Sequence, residues 1–263
     1  MSPRPPSVRS LLAAGAVLAL ILAGPAAAQS PADAIHRRVL VLDSHVDVLP
    51  PGSNPRSFDV DGTSYAELAK LRAGGVDALV YALAVSTGPR TPEGYAAARA
   101  EVVAKLAAVR RIVADHPSDV AVARSADEVQ QIVGQGKVAV ILGFLNAYSL
   151  GEDVAGFDWL QSEGVRVAGL THAGNNAFAD SSRPQAGAGE EHGGLSPLGK
   201  ASVGRLNDLG VLIDVSQLTP KGVFQTLELS RAPVVATHSA ARALADHTRN
   251  LSDAELDAIK AGG

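Results

Sequence analysis

The sequence predicts an α/β fold: a TIM-like (β/α) barrel, incomplete, with about six of the eight strands of such a barrel present. Short apolar runs rich in β-branched residues alternate with helical patterns, which is typical of parallel strands covered by helices on both faces. Polar residues cluster where these runs end, and barrel enzymes build their active sites at such ends. The alternative, an open nucleotide-binding sheet, is disfavoured because no glycine-rich phosphate motif follows the first run.

The predicted strands are short and follow one another along the whole chain. They cover residues 39–43, 78–84, 138–144, 165–170, 211–215 and 234–236, with an additional short strand at 120–123. Helices are predicted between them, the longest over 91–115. Their starts carry cap residues followed by proline, or by glutamate three positions later: Thr91-Pro92, Ser125 with Glu128, Ser196-Pro197, Thr219-Pro220 and Ser252 with Glu255.

The first 28 residues have the pattern of a secretory signal peptide. Arg4 and Arg9 give a basic start, residues 11–23 are apolar but short for a membrane span, and Ala26-Ala27-Ala28 fits a cleavage site. The alternative is an uncleaved membrane anchor. We therefore expect a signal peptide at 1–28 and one barrel domain at 29–263, shortened at its C-terminal end. The expected location is periplasmic or secreted, without a stable membrane span after cleavage.

Composition limits the chemistry that the chain can use. It contains no cysteine, so disulfides, thiolate metal sites and a cysteine nucleophile are excluded. Any metal would need histidine, carboxylate or amide ligands. The formal net charge is −4 and there is no long basic run, which argues against nucleic acid as a partner.

Two residues at the first predicted strand indicate a metal site. His45 and Asp47 are two positions apart, and such residues point to the same side of a strand. His238 ends the sixth strand, and its side chain can reach the same end of the barrel. Imidazole nitrogen and carboxylate oxygen are typical zinc ligands, so these three residues are the predicted ligands. A capping or core role is the alternative for His238.

Two further residues are candidates for substrate contact. His172 ends the fourth strand and could stabilise a developing oxyanion, or could only fix its loop by a hydrogen bond. Arg249 follows the sixth strand and could bind a substrate carboxylate, or could be a solvated surface residue. Asp180 is predicted to be structural. Three histidines are predicted to lie on the surface, namely His36, His116 and His192. His247 is left unassigned.

Several motifs occur in a fixed order: Asp43-Ser44-His45-Val46-Asp47, Leu170-Thr171-His172 with Asn175, Ala179-Asp180-Ser181, the segment 192–199, Asp214-Val215-Ser216, and 237–242 followed by Arg249-Asn250-Leu251. Together they resemble the membrane (renal) dipeptidases, the M19 metallopeptidases, over about residues 32–263. The resemblance implies a TIM-like barrel with two zinc ions, bridged by a carboxylate and a water or hydroxide. The implied substrates are dipeptides, and related members take D-residue dipeptides or β-lactams.

The resemblance also implies roles for individual residues. His45 and Asp47 would hold the first metal, and His238 the second. His172 would bind the tetrahedral intermediate or the substrate, and Arg249 would pair with the substrate's C-terminal carboxylate. The metal-activated water would be the nucleophile.

Three departures from the family pattern affect the metal site. Leu145 stands where the bridging glutamate is expected, beside the neutral amide of Asn146, and Gln217 stands where a histidine is expected. The family's eighth strand normally brings an aspartate, and this chain ends before it. Neutral groups attract a dication weakly, so we expect zero or one zinc.

The expected function is therefore that of an exported metal-dependent dipeptidase. The alternatives are a non-catalytic peptide-binding protein and an inactive, truncated family member. Expected partners are a dipeptide and, through open edges on the first and sixth strands, a second copy in a homodimer.

Overall fold

The structure is a computed structural model and describes residues 30–48 and 68–262. These residues belong to two compact units, the first ending at Val39 and the second starting at Leu40. In the first unit, helix α1 (Pro31–His36) begins at Ser30, whose hydroxyl accepts the Asp33 N–H, while the Asp33 carboxylate accepts the Ser30 N–H. The expected signal peptide at 1–28 lies outside the described residues.

The second unit contains a seven-stranded parallel sheet in the order β1-β2-β4-β5-β6-β7. Its strands are β1 (Leu42–Asp47), β2 (Ala78–Ala84), β3 (Val120–Ala123), β4 (Val138–Leu145), β5 (Val165–Gly169), β6 (Leu212–Asp214) and β7 (Val234–Val235). β3 pairs with the first half of β4, and β5 pairs with its second half. This is the predicted α/β class, an incomplete TIM-like barrel.

The sheet curls so that its two edge strands approach each other at their carboxyl ends. β1 and β7 are not neighbours in the strand order, yet the Ser44 hydroxyl donates to the Thr237 carbonyl at 2.6 Å. Residues that follow distant strands are thereby brought to one rim, as a barrel requires.

The prediction for the first strand was wrong, whereas those for β2 and β3 are confirmed at both ends. Residues 39–43 were expected, but the ladder with β2 begins at Leu42, opposite Ala78. Val39 and Leu40 are 52% and 48% exposed. An apolar run shows where side chains can be buried, but main-chain pairing decides where the strand lies. The remaining strands end within two residues of their predicted bounds.

Helices separate the strands, and their predicted starts are confirmed. The helices of the second unit are α2 (Leu68–Ala73), α3 (Pro92–Asp115), α4 (Ala126–Gly134), α5 (Gly156–Ser162), α6 (Pro197–Asp208), α7 (Pro220–Leu229) and α8 (Asp253–Ala261), with a 3-10 turn at Ala147–Leu150. A full capping box forms at Ser252 with Glu255. The box expected at Ser125 is only half formed, because the Glu128 carboxylate accepts the Arg124 N–H instead.

The core lies between the sheet and these helices. Every residue of β2 is buried, and most of the core is valine, leucine and alanine. Phe144, Phe157 and Phe178 add edge-to-face ring contacts with centroids 6.3 and 6.1 Å apart. Across the described ranges, no helix combines the length and apolar character needed to cross a membrane.

Candidate metal centre

The three predicted metal ligands lie together at the carboxyl rim of the sheet. The rings of His45 and His238 stack with centroids 3.8 Å apart and planes inclined by 26°. His45 Nε2 is 3.2 Å from Asp47 Oδ1. This hydrogen bond is the main reason that the pKa of Asp47 lies below its usual value; burial opposes it. Residues from opposite edges of the sheet thus lie side by side at one rim.

A second carboxylate, Asp214, completes this group, although the sequence reasoning did not include it among the ligands. Ligand atoms of His45, Asp214 and His238 all lie within 4.8 Å of one another, and this group does not include Asp47, which contacts only His45 within it. Asp214 is the buried last residue of β6, and its Oδ1 accepts the N–H groups of Ser216 and Thr237 at 2.9 and 3.1 Å. The sequence does show this acid at the end of a predicted strand, in the motif Asp214-Val215-Ser216, and that position could have identified Asp214 as a ligand.

His238 is linked to Asp214 through Thr237. The Thr237 hydroxyl donates to Asp214 Oδ2 and lies 2.7 Å from His238 Nδ1. Burial, and next the neighbouring His45, lower the pKa of His238 to about 4, while Asp214 opposes that shift. The ring is therefore neutral near pH 7.

The Gln217 side chain lies against the other nitrogen of His238. Its Nε2 is 3.1 Å from His238 Nε2, and its Oε1 accepts a hydrogen bond from Arg183 Nη2 at 3.0 Å. The Gln217 backbone has a φ of 72°, a left-handed conformation that is uncommon for residues other than glycine. Its carbonyl accepts hydrogen bonds from the Thr171 hydroxyl and the Ser182 N–H, at 3.0 and 2.8 Å, which hold the backbone there.

An aliphatic side chain occupies the position where a bridging carboxylate was expected. Leu145 is the last residue of β4 and is 1% exposed. Its Cδ1 is only 2.7 Å from the place where a Cβ on Gly169 would lie, so Leu145 covers that glycine. Asp214 on β6 pairs with Gly169 on β5, and the Asp214 Cβ lies 3.8 Å from the same point. Leu145 therefore packs in the layer of the site without contributing a ligand atom.

Asn146 has no lone pair free for an ion. Its Oδ1 accepts hydrogen bonds from the Tyr148 N–H and Asn176 Nδ2, and its Nδ2 donates to the Val85 carbonyl and the Thr87 hydroxyl. Like Gln217, it has a positive φ, here 92°. Its amide fixes the loop after β4.

His172 lies near Asp47 and is partly buried. Its Nδ1 is buried and has no hydrogen-bond partner among the described residues. Burial is the largest cause of its lowered pKa, and the charge of Asp47 opposes it. The ring is therefore neutral near pH 7, and its Nδ1 is the polar atom without a partner in the described part of the chain. The loop is instead fixed by the main-chain carbonyl of His172, which accepts a hydrogen bond from the Ser181 hydroxyl.

Arg249 is directed into the site rather than to solvent. Its Nη2 donates to the His238 carbonyl at 3.1 Å, while its Nη1 is buried and has no partner within the described part of the chain. Burial lowers its pKa most, followed by the charge of Arg183. Two guanidinium groups close enough to repel each other favour an anion between or beside them.

Asp180 has the structural role expected of it. It is fully buried, and its carboxylate accepts the N–H groups of Glu191, His192 and Gly194 at 2.8, 3.0 and 2.9 Å. Burial by itself raises the pKa of Asp180, but these donors together bring it below the usual value. The surface assignment of His192 was wrong: it is partly buried, and its Nε2 is hydrogen-bonded to the Asn176 carbonyl at 2.8 Å.

The other histidines are not among the grouped ligand atoms of the described residues. The surface prediction is confirmed for His36, which is exposed, but was wrong for His116, which is partly buried at the end of α3. His247 is exposed, and its Nδ1 accepts the Arg249 N–H at 3.1 Å, so it supports the loop that carries this arginine.

One group of ligand atoms in the described part of the chain could hold a divalent ion. Adjacent ligands about 2 Å from a single ion lie roughly 3 Å apart, and His45 with Asp47 has that spacing. His238 stacks on His45 and supplies a second imidazole, and with Asp214 it belongs to the same group of ligand atoms. Leu145 and Gln217 stand where a bridging carboxylate and an imidazole were expected, and neither side chain offers such a group to an ion.

Comparison with known proteins agrees with this architecture. Residues 29–263 match the family profile described as "Membrane dipeptidase (Peptidase family M19)". The chain is 35% identical to dipeptidase tcpJ of Claviceps purpurea over 58% of its own length and 35% of that protein. It is 30% identical to dipeptidase verJ of Clonostachys rogersoniana over 59% of its length and 39% of that protein. The aligned part therefore spans well under half of either relative.

Solved structures extend the comparison to the fold. The probable dipeptidase PvdM from Pseudomonas aeruginosa superimposes with a TM-score of 0.83 at 39% identity, covering 88% of this chain and 60% of that one. A metallo peptidase from Rhodobacter sphaeroides, liganded with a phosphinate mimic of the dipeptide L-Ala-D-Ala, gives 0.74 at 25% identity and covers 85% and 72%. Both likenesses cover most of the described sheet and helices.

Proposed function

We propose that this chain, which belongs to the membrane dipeptidase family (peptidase family M19), hydrolyses the peptide bond of dipeptides with the help of one divalent ion. Zinc is the first candidate for that ion. The convergence of His45, Asp47 and His238 on one rim carries this proposal. Such an ion lowers the pKa of a bound water and polarises a carbonyl. Relatives named as dipeptidases support the substrate class.

The protein's own residues position the dipeptide. The Nη1 of Arg249, which has no partner among residues 30–48 and 68–262, binds the substrate's C-terminal carboxylate, because a buried guanidinium beside a second one gains most from an anion. The neutral His172 donates or accepts a hydrogen bond at the scissile group through its unused ring nitrogen. Together they orient the peptide bond toward His45 and Asp47.

Hydrolysis of Gly-Leu and of D-Ala-containing dipeptides, with and without added Zn²⁺ or Co²⁺, tests the proposal. We expect metal-dependent turnover that is lost in His45→Ala. His116→Gln, at the end of α3, is the matched control and keeps the parent activity. Absence of turnover under every metal condition would reject the hydrolase assignment, and retained dipeptide binding in that case would leave a peptide-binding protein.

We also propose that residues 1–28 direct export. The basic start, apolar stretch and small residues before Gln29 support it. Mass spectrometry of protein recovered outside the cytoplasm is expected to find Gln29 as the first residue. An intact N-terminus on all exported protein would contradict cleavage there.

The edge strands β1 and β7 support a homodimer, because their outer main-chain groups are able to pair with a second copy. Light scattering of the purified protein tests this, and a monomeric mass at all concentrations would reject it.

A further inference from the structure

A continuous row of polar side chains crosses the site. Arg183 Nη2 lies 3.0 Å from Gln217 Oε1, and Gln217 Nε2 lies 3.1 Å from His238 Nε2. On the other side of the ring, His238 Nδ1 is 2.7 Å from the Thr237 hydroxyl, which contacts Asp214. Each member contacts the next through a single pair of atoms.

The chemistry of the two ends fixes the direction of every hydrogen bond in this row. A guanidinium only donates, so Gln217 must present its oxygen to Arg183 and its N–H to His238. His238 Nε2 therefore accepts. The carboxylate of Asp214 only accepts, so the Thr237 hydroxyl donates to it and receives the Nδ1–H of His238.

The lone pair of His238 Nε2 is consequently occupied by an amide N–H. It is also the lone pair that this ring has left for a metal, because Nδ1 carries the proton. We propose that Gln217 caps His238, so that the chain binds a single divalent ion and binds it more weakly than it would without the cap. This inference rests on the proposed function for its use of a metal at this site.

The surroundings hold Gln217 in the capping position. Its left-handed backbone is retained by the hydrogen bonds from Thr171 and Ser182 to its carbonyl, and Arg183 fixes its amide. Strained conformations persist where several contacts determine them together. Leu145 acts in the same sense, because its aliphatic side chain adds no carboxylate at the end of β4 beyond Asp47 and Asp214.

Calorimetric titration of the metal-free protein with Zn²⁺ or Co²⁺ measures the cap directly. Gln217→Asn suits the test, because asparagine tolerates a positive φ and its shorter side chain withdraws from His238. Gln217→Gly is the second variant, since glycine adopts this φ without strain. We expect one equivalent in the parent protein and about fivefold tighter binding in both variants, the worth of one neutral hydrogen bond.

A gain-of-ligand variant tests the stoichiometry. Leu145→Glu combined with Gln217→His places a carboxylate at the end of β4 and an imidazole beside His238, and the double variant is expected to take up a second equivalent. Unfolding melts without metal confirm that each variant is folded. Two equivalents in the parent protein, or unchanged affinity in both Gln217 variants, would overturn the proposal.

Nitrogen-15 NMR of the metal-free protein separates this inference from the proposed function. The capped ring is expected to show a protonated Nδ1 and an unprotonated Nε2. A protonated Nε2 would reject the cap even in an active enzyme. Conversely, a protein with the expected tautomer and tighter metal binding in the variants, but without turnover, would refute the hydrolase assignment and leave the cap standing.

Discussion

Asp180→Asn is expected to destabilise the protein more than its small change in shape suggests. The Asp180 carboxylate is fully buried and accepts three N–H groups of the loop before α6, from Glu191, His192 and Gly194. Asparagine keeps one acceptor oxygen and turns an amide donor toward at least one of these N–H groups. Hydrogen bonds to a charged group contribute about 1.5–3 kcal/mol each.

Losing one such bond and placing a donor against a donor gives an expected loss of about 2–4 kcal/mol in the free energy of unfolding. Urea denaturation of the parent and variant proteins measures it. The control is Asp246→Asn, which makes the same chemical change at an exposed position and is expected to cost under about 0.5 kcal/mol. A loss below about 1 kcal/mol for Asp180→Asn would refute the reasoning.

The same carboxylate predicts a pH effect whose sign follows from its pKa. The folded-state pKa of Asp180 is lowered from the ordinary 3.8, so its contribution to stability is complete above that pH. It declines as the pH falls below 3.8 toward the folded value. The stability of Asp180→Asn is therefore expected to fall less steeply in this acid range, and equal slopes for both proteins would contradict the assignment.

Three other substitutions test the packing, a helix cap and the substrate site. Gly169→Ala puts a methyl group 2.7 Å from Leu145 Cδ1, so overpacking is expected to cost about 1–3 kcal/mol in urea unfolding, relieved by adding Leu145→Ala. Ser252→Ala removes the cap bonded to Glu255 and is expected to cost about 1 kcal/mol, seen as a lower Tm. Arg249→Ala is expected to raise KM for dipeptides about 10- to 100-fold, since a charge-assisted contact contributes about 1.5–3 kcal/mol, while Arg249→Lys recovers part of it. An unchanged KM would remove Arg249 from the substrate site.

The sequence was sufficient for β2, whose residues 78–84 form a continuous apolar run and are all buried. It was also sufficient for β3 at residues 120–123, although the two middle residues of that strand are only partly buried and it pairs with β4 alone. It was insufficient for β1, which lies at the edge of the sheet and is largely exposed. In β1 the apolar run and the residues that pair with β2 do not coincide, and the main-chain pairing alone defines where the strand begins and ends.

The grouping of His45, Asp47 and His238 was predictable for a general reason. The carboxyl ends of parallel strands meet at one rim, so residues there converge whatever loops join them. The hydrogen-bond row through Arg183 and Gln217 was not predictable in this way. Arg183 belongs to a long loop whose course depends on main-chain contacts such as the Gly174 N–H to the Arg183 carbonyl, at 2.7 Å. No periodicity in the sequence encodes such a contact.

The balance of charge around the rim determines what the site attracts. Asp214 is already satisfied by two backbone N–H groups and the Thr237 hydroxyl, so Asp47 is the carboxylate with most capacity left for an ion. Arg183 and Arg249 both lie close enough to influence His172. They repel a cation and attract a carboxylate.

An incoming dipeptide carboxylate would neutralise part of that positive charge at Arg249. The repulsion felt by a divalent ion at His45 and Asp47 would then fall, because Coulomb interactions are strong in a partly buried pocket. If the proposed dipeptide and divalent ion both bind, their binding would therefore be thermodynamically coupled through the arginine pair, and each would strengthen the other by the same factor.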